Sequence, residues 1–298
     1  MLEQFKANIL FDKLLKRPDI EKAYAMVPET DCWYQTIRKV HDSLDEIKKH
    51  THEMLEIRSR DDLSLKAIYY PGASSSRITV ICVHGYTSHA EREWAFPGLF
   101  YLSLGYNVLI PYQRAHGLSE GKYLSFGALE RLDMLGWIEK INEMNPGGEI
   151  VIHGLSMGGG IVLDLSGMEM KNVKCLIADA PSCSVAAFFR DISGRVFKKG
   201  AEKIASCANE RFKKEFGYDV KEFERVEMAA KGRYPLLLAA GSKEQMENTF
   251  ESIQKANPHE TEMIILPGCD HGNGMYKQTE LFQETIRHFL ARHLSASV

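Results

Sequence analysis

A serine stands between two glycines in Gly154-Leu155-Ser156-Met157-Gly158, directly after the apolar run EIVIH and at the head of GGGIVLDL. The G-x-S-x-G spacing alone is modest evidence, since ordinary glycine and serine usage gives a chance match in roughly one chain in ten of this length. Its setting says more. A serine on a sharp turn from strand into helix sits in strained backbone geometry, so its neighbours must lack bulk, and its hydroxyl is lifted above the sheet edge. The helix that follows points free N–H groups at any negative charge that develops beside that oxygen. Such a serine suits attack on a carbonyl, provided a base accepts its proton. Imidazole has the matching pKa, and the chain offers eleven histidines. The competing reading is a tight glycine-rich turn with a capping serine.

The elements that must position this serine are legible as alternating runs. ITVICV (78–83), NVLIP (107–111), EIVIHG (149–154), CLIAD (175–179), PLLLAA (235–240) and EMIILP (262–267) are continuous apolar stretches, the pattern of strands buried on both faces. Glu53–Arg58 and Leu63–Tyr70 predict a hairpin turning at Asp61-Asp62. Between the runs lie helical patterns. One covers Phe126–Met144, with Leu129, Leu132, Leu135, Ile138 and Ile141 on one stripe; another covers Thr279–Leu294, with Phe282, Ile286, Phe289 and Leu290. Strands alternating with helices imply a mostly parallel, doubly wound sheet of eight strands. Residues 1–50 predict a helical extension, with Phe5, Ile9, Phe11, Leu14 and Leu15 at helical spacing, followed by Ile37, Val40, Leu44 and Ile47; Trp33 and Tyr34 are expected to pack on the main body as cover, with partner contact or a substrate gate as the alternative. The segment 181–232 is too long for a simple crossover and carries its own apolar residues, among them Phe188, Phe189, Ile192 and Ile204. It predicts a helical cap over a core made of 51–180 and 233–298.

The stretches VHGYTS (83–88), RAHGLSEG (114–121), GLSMGG (154–159) and CDHGNG (269–274), in that order, resemble the α/β-hydrolase superfamily, above all its bacterial carboxylesterase and serine-aminopeptidase-like branch. The likeness runs from about residue 53 to 294. It implies an α/β-hydrolase fold and gives His271, in the loop after the last strand, the role of general base. It also implies an acid after the seventh strand, where the family pattern G-x-x-D meets AAGSKEQM and places Glu244. Glu is longer than Asp and needs a shifted backbone, and the Val-Pro usual a little further on is missing. Asp179, after the sixth strand, and Glu247 are the other candidates. The chain order Ser156, Glu244, His271 agrees with the order of this fold. The oxyanion hole is expected from the backbone N–H groups of Met157 and Tyr86. His84 is expected to brace the oxyanion loop, His153 to pack at a strand end, and His116 to be structural.

The composition excludes several other classes. With 37 Lys+Arg against 40 Asp+Glu, no nucleic acid or anionic membrane is implied as an obligatory partner; Lys198-Lys199 and Lys213-Lys214 read as solvated faces. Six cysteines lack C-x-x-C spacing, so neither a zinc site nor a redox pair is indicated, and a reduced, cytoplasmic setting fits. No run predicts a signal peptide or a stable membrane insertion. No cofactor and no metal are implied. The expected activity is that of a serine hydrolase acting on a small-molecule carboxylic ester, with a homodimer as the possible assembly. The alternatives are a peptidase or amidase, with Glu202, Glu210 or Glu215 available to hold an amine, and a non-catalytic protein of the same fold that binds a ligand.

Overall fold

A computed structural model describes residues 2–74 and 76–295. Two helices lead, α1 (Leu2–Leu15) and α2 (Tyr34–Ile47), and the hairpin β1 (Glu53–Arg58) and β2 (Ser64–Tyr70) follows. The core continues as β3 (Ile78–Val83), α3 (Ala90–Ser103), β4 (Asn107–Pro111), α4 (Glu130–Met144), β5 (Glu149–Leu155), α5 (Met157–Leu165) and β6 (Val173–Asp179). The long connection holds α6 (Val185–Phe197), α7 (Ala201–Phe216), a 3-10 turn at Val220–Glu222 and α8 (Arg225–Ala229). Last come β7 (Leu236–Gly241), α9 (Glu247–Ala256), β8 (Thr261–Leu266), α10 (Gly274–Lys277) and α11 (Thr279–His293).

Among the described residues, eight strands form one sheet in the order β1-β2-β4-β3-β5-β6-β7-β8. β1 and β2 pair antiparallel, as do β2 and β4, and every later pairing is parallel. The central strands β3, β4 and β7 are buried at every position because they are almost wholly apolar, whereas the edge strands β1 and β8 carry charged residues and are partly exposed. In β3, Ile81 and Val83 face the layer of Phe11, Trp137, Ile161 and Phe189, while Val80 and Cys82 face the layer of Leu44, Trp94, Phe282 and Phe289. The mostly parallel eight-stranded sheet expected from the sequence is the observed one.

Three helical expectations need correction. α4 begins at Glu130 rather than Phe126, because Phe126 and Gly127 have positive φ (50° and 112°), which a helix cannot accommodate. Glu130 instead turns back to accept hydrogen bonds from the Ser125 and Gly127 amides at 2.7 and 2.8 Å. The buried stripe of α4 runs through Met134, Trp137, Ile138 and Ile141, and Leu132 and Leu135 lie at its edge. In α1 the inward face is Ala7, Leu10, Phe11, Leu14 and Leu15. Phe5 and Ile9 sit on the opposite side, 64% and 48% exposed, since a period of 3.6 residues cannot bring them to the face that holds residues 7, 10, 11 and 14. No helix among the described residues is long and apolar enough to cross a membrane.

Candidate active site

Ser156 occupies the bend between β5 and α5 with φ 58° and ψ −113°, a conformation that side chains adopt only when their surroundings enforce it. The two flanking glycines are the enforcement. A Cβ on Gly154 would lie 2.2 Å from Gly158 O, and one on Gly158 would lie 2.0 Å from Val83 O. The Ser156 amide donates to Asp179 O at 2.8 Å, and its carbonyl accepts from the Gly160 and Ser182 amides, both at 3.0 Å. Both sides of the bend are thus tied to neighbouring elements, and the hydroxyl stands clear above them.

The loop after β8 carries His271 to that hydroxyl. His271 Nε2 lies 2.8 Å from Ser156 Oγ, and His271 Nδ1 lies 2.5 Å from Glu244 Oε2. Glu244 is the last residue of the turn after β7. Its amide donates to Gly241 O at 3.0 Å, and its Oε1 accepts from the Gly241 amide at 2.8 Å. The next residue, Gln245, has φ 57°, and the turn leaves the long Glu244 side chain within hydrogen-bond reach of the imidazole. The Glu244 hydrogen bond raises the His271 pKa above its ordinary 6.5, against a partial loss of hydration, and the charges of Glu244, Asp179 and Glu93 add to the rise.

The other candidate acids are elsewhere. Asp179 is buried at the end of β6 and makes no hydrogen bond to His271; burial and then the Glu244 charge push its carboxyl up to about 8. Glu247 is exposed at the start of α9. The neighbour of the histidine, Asp270, pairs with Lys243 and Lys277, each at 3.0 Å.

The loop after β3 faces the serine from the opposite side. A Cβ on Gly85 would lie 3.3 Å from Ser156 Cβ, so this backbone touches the nucleophile bend. Among the described residues the amides of Tyr86 and Met157 have no hydrogen-bond partner, whereas the Gly85 amide is taken by Glu93 at 2.7 Å. The Tyr86 ring stacks on Phe126 and meets Phe188 of the cap edge-on, and its hydroxyl donates to Leu14 O at 2.9 Å. His84 is buried, with Nε2 accepting from the Gln113 amide at 3.1 Å. His153 Nδ1 pairs with the Tyr101 hydroxyl at 2.7 Å, and burial pushes its pKa down to about 3. His116 packs edge-on against His84 behind the loop. Arg114 of the R-x-H-G loop bridges Asp133 of α4 and Asp61 of the hairpin turn at 2.7 and 2.9 Å.

A cleft of about 260 Å³ opens over Ser156 and His271. One wall is Tyr86, Thr87 and Leu155; the other is Ala23, Tyr24, Trp33 and Thr36, from the segment that joins α1 to α2. A larger groove of about 780 Å³ lies beside α4, and its lining has no Ser, Cys or His. Glu202, Glu210 and Glu215 are exposed on α7 and none lines the cleft. Sequence reasoning assigned nothing to Tyr24, Thr36, Ser88 or Glu93. Glu93 reads as an ordinary acidic residue in the first turn of a helix, and the one hint was its place just after the HG turn.

Comparisons with known proteins agree with this architecture. A family model described as serine aminopeptidase, S33, matches residues 74–214. Over 293 residues the chain is 26% identical to the uncharacterized protein YqkD of Bacillus subtilis, covering 96% of this chain and 90% of that protein. Among solved structures, the Pyrococcus furiosus esterase Pf2001 superimposes with a TM-score of 0.64 at 25% identity, over 84% of this chain and 93% of that one. An alpha-beta hydrolase from Vibrio vulnificus does so with a TM-score of 0.63 at 18% identity, over 97% and 94%. The chain therefore has the α/β-hydrolase fold, and the family match over residues 74–214 together with the esterase neighbour supports a hydrolase of that superfamily.

Proposed function

We propose that the protein is a serine hydrolase that cleaves carboxylic esters through an acyl-enzyme. The observation that carries this reading is the unbroken chain of contacts from Ser156 Oγ through His271 to Glu244, 2.8 and 2.5 Å, beside two unpartnered amides. His271 Nε2 takes the Ser156 proton as the oxygen attacks the ester carbonyl. Glu244 holds Nδ1–H and stabilises the imidazolium that forms. The Tyr86 and Met157 amides receive the negative charge of the tetrahedral intermediate, where each donor supplies about 3 kcal/mol. His271 then gives the proton to the leaving alcohol, and water activated by the same imidazole releases the acid.

Ester rather than amide is favoured by the cleft. The carboxylates of α7 lie away from it, and the one carboxylate in its lining, Glu93, is taken by the Gly85 amide and the Tyr24 and Ser88 hydroxyls, so neither offers a free anchor for a peptide's amine. The Pf2001 neighbour is an esterase by its printed name, in keeping with this reading. A fluorophosphonate probe is expected to label the wild-type protein at Ser156, and p-nitrophenyl esters of graded chain length are expected to turn over faster than aminoacyl anilides. Ser156→Ala and His271→Ala are each expected to lower kcat by roughly 10⁴-fold or more with the melting temperature nearly unchanged. An unlabelled wild-type protein would point to a ligand-binding role, and preferred turnover of the anilides to a peptidase.

A further inference from the structure

Glu93, in the first turn of α3, is buried behind the oxyanion loop and has no cation within ion-pair distance among the described residues. A carboxylate removed from water this way persists only if donors replace the lost hydration. Three do. The Gly85 amide donates to Oε1 at 2.7 Å, the Tyr24 hydroxyl donates to Oε2 at 3.0 Å, and the Ser88 hydroxyl donates to Oε2 as well. Burial still pushes the carboxyl up to about 6. Gly85 and Ser88 bracket Tyr86 and Thr87, and Thr87 carries a φ of 51°. The carboxylate therefore grips both ends of the loop whose middle presents the Tyr86 amide.

Tyr24 reaches this carboxylate from a long way along the chain, and its own backbone is held for the purpose. It has φ 58°. Arg92 Nη1 donates to Glu21 O and Ala23 O at 2.9 and 2.8 Å, and His41 Nε2 pairs with Tyr24 O at 2.9 Å. The same N-terminal segment meets the loop again where the Tyr86 hydroxyl donates to Leu14 O. A merely decorative extension has no use for a strained tyrosine whose hydroxyl is buried against a carboxylate.

We propose that Glu93 is a positioning residue, which sets the Tyr86 amide at the oxyanion through the Gly85 N–H, and that Tyr24 completes its hydrogen-bond shell, so that the segment from Arg17 to Thr36 is part of the active site. This rests on the assignment of Ser156 and the Tyr86 amide given above. Loosening the loop removes stabilisation that exists only when the carbonyl oxygen becomes negative, and leaves ground-state binding alone. The loss therefore falls on kcat and not on KM.

The test compares the wild-type protein with Tyr24→Phe, Glu93→Gln and Glu93→Ala. It reads kcat and KM for p-nitrophenyl butyrate, affinity for an alkyl trifluoromethyl ketone that forms a tetrahedral adduct, and the melting temperature. Glu93→Ala is expected to lower kcat roughly 100-fold, the size of one lost oxyanion donor. Tyr24→Phe is expected to lower it ~3- to 10-fold, the size of one hydrogen bond. Glu93→Gln, which keeps an acceptor for the Gly85 amide, should regain most of what Ala loses. KM should stay within about threefold, and affinity for the ketone should fall in step with kcat/KM. Variants that melt earlier yet turn over at the wild-type kcat would overturn the proposal, as would losses confined to KM. Should Glu93→Ala fail to fold, full turnover by Tyr24→Phe, which removes one donor from the carboxylate, would overturn it equally. Fluorophosphonate labelling separates the two levels: an unlabelled wild-type protein defeats the Ser156 assignment, whereas a labelled, active wild type with fully active variants defeats only the role of Glu93.

Discussion

His271 is placed between a hydroxyl and a carboxylate, and its titration follows from the second of these. The Glu244 hydrogen bond raises its pKa above 6.5. Protonated imidazole cannot accept the Ser156 proton, so activity is present above the raised pKa and lost as pH falls through it. The acid limb of kcat/KM is therefore expected to have its midpoint above 6.5. Glu244→Gln removes the largest cause of the rise, so the midpoint should move to lower pH while kcat falls about 10²- to 10⁴-fold. Asp179 has its carboxyl pushed up to about 8 by burial and makes no hydrogen bond to His271; Asp179→Asn should leave kcat within about threefold. Rate profiles of the three proteins between pH 5 and 9 decide this, and an unshifted limb in Glu244→Gln would remove Glu244 from the chain of contacts. Ser156 was legible in the sequence because steric need at the bend leaves a mark, the paired glycines. His271 and Glu244 were legible only through resemblance, since nothing local marks a loop histidine or a turn glutamate. Glu93 was not legible, because its burial depends on Tyr24, 69 residues away.

At the scale of elements, the long connection between β6 and β7 is pinned to α5 by a buried ion pair. Arg225, at the start of α8, puts Nε and Nη2 on the two carboxylate oxygens of Asp164 in α5 at 3.0 and 2.8 Å. Its remaining donors reach Ser182 O at 2.6 Å and Phe126 O at 2.7 Å. Both side chains are fully buried. Arg225→Leu strands the Asp164 carboxylate and is expected to destabilise the fold by about 3–5 kcal/mol in urea unfolding. The Arg225→Leu/Asp164→Leu double variant should be less destabilised than the sum of its singles, and strict additivity would show that the pair is uncoupled. The central strands were readable because burial on both faces makes them almost wholly apolar. The α4 stripe was misread for a related reason: Asp133 faces inward only because Arg114 meets it there, and a hydropathy pattern scores such a position as solvent-facing.

At the scale of the molecule, all six cysteines are free thiols. The thermal midpoint is therefore expected to be the same with and without dithiothreitol, and a drop on reduction would reveal a cross-link. The sequence pattern predicted a helical extension over residues 1–50 and found its two helices, but not the irregular stretch 16–33 between them that walls the cleft, because pattern reports which face of a helix is greasy and never which partner it meets. That partner has a consequence for how the protein is made. α1 rests on α7, where Arg211 holds Asn8 O and Asp12 and Phe11 stacks on Phe216. α1 is thus made about two hundred residues before the α7 surface it packs on. Until that surface is synthesised, Phe11 has only the Tyr123 side of its native shelter, so a greasy face stays half covered through much of translation and is sealed only when a segment born much later arrives.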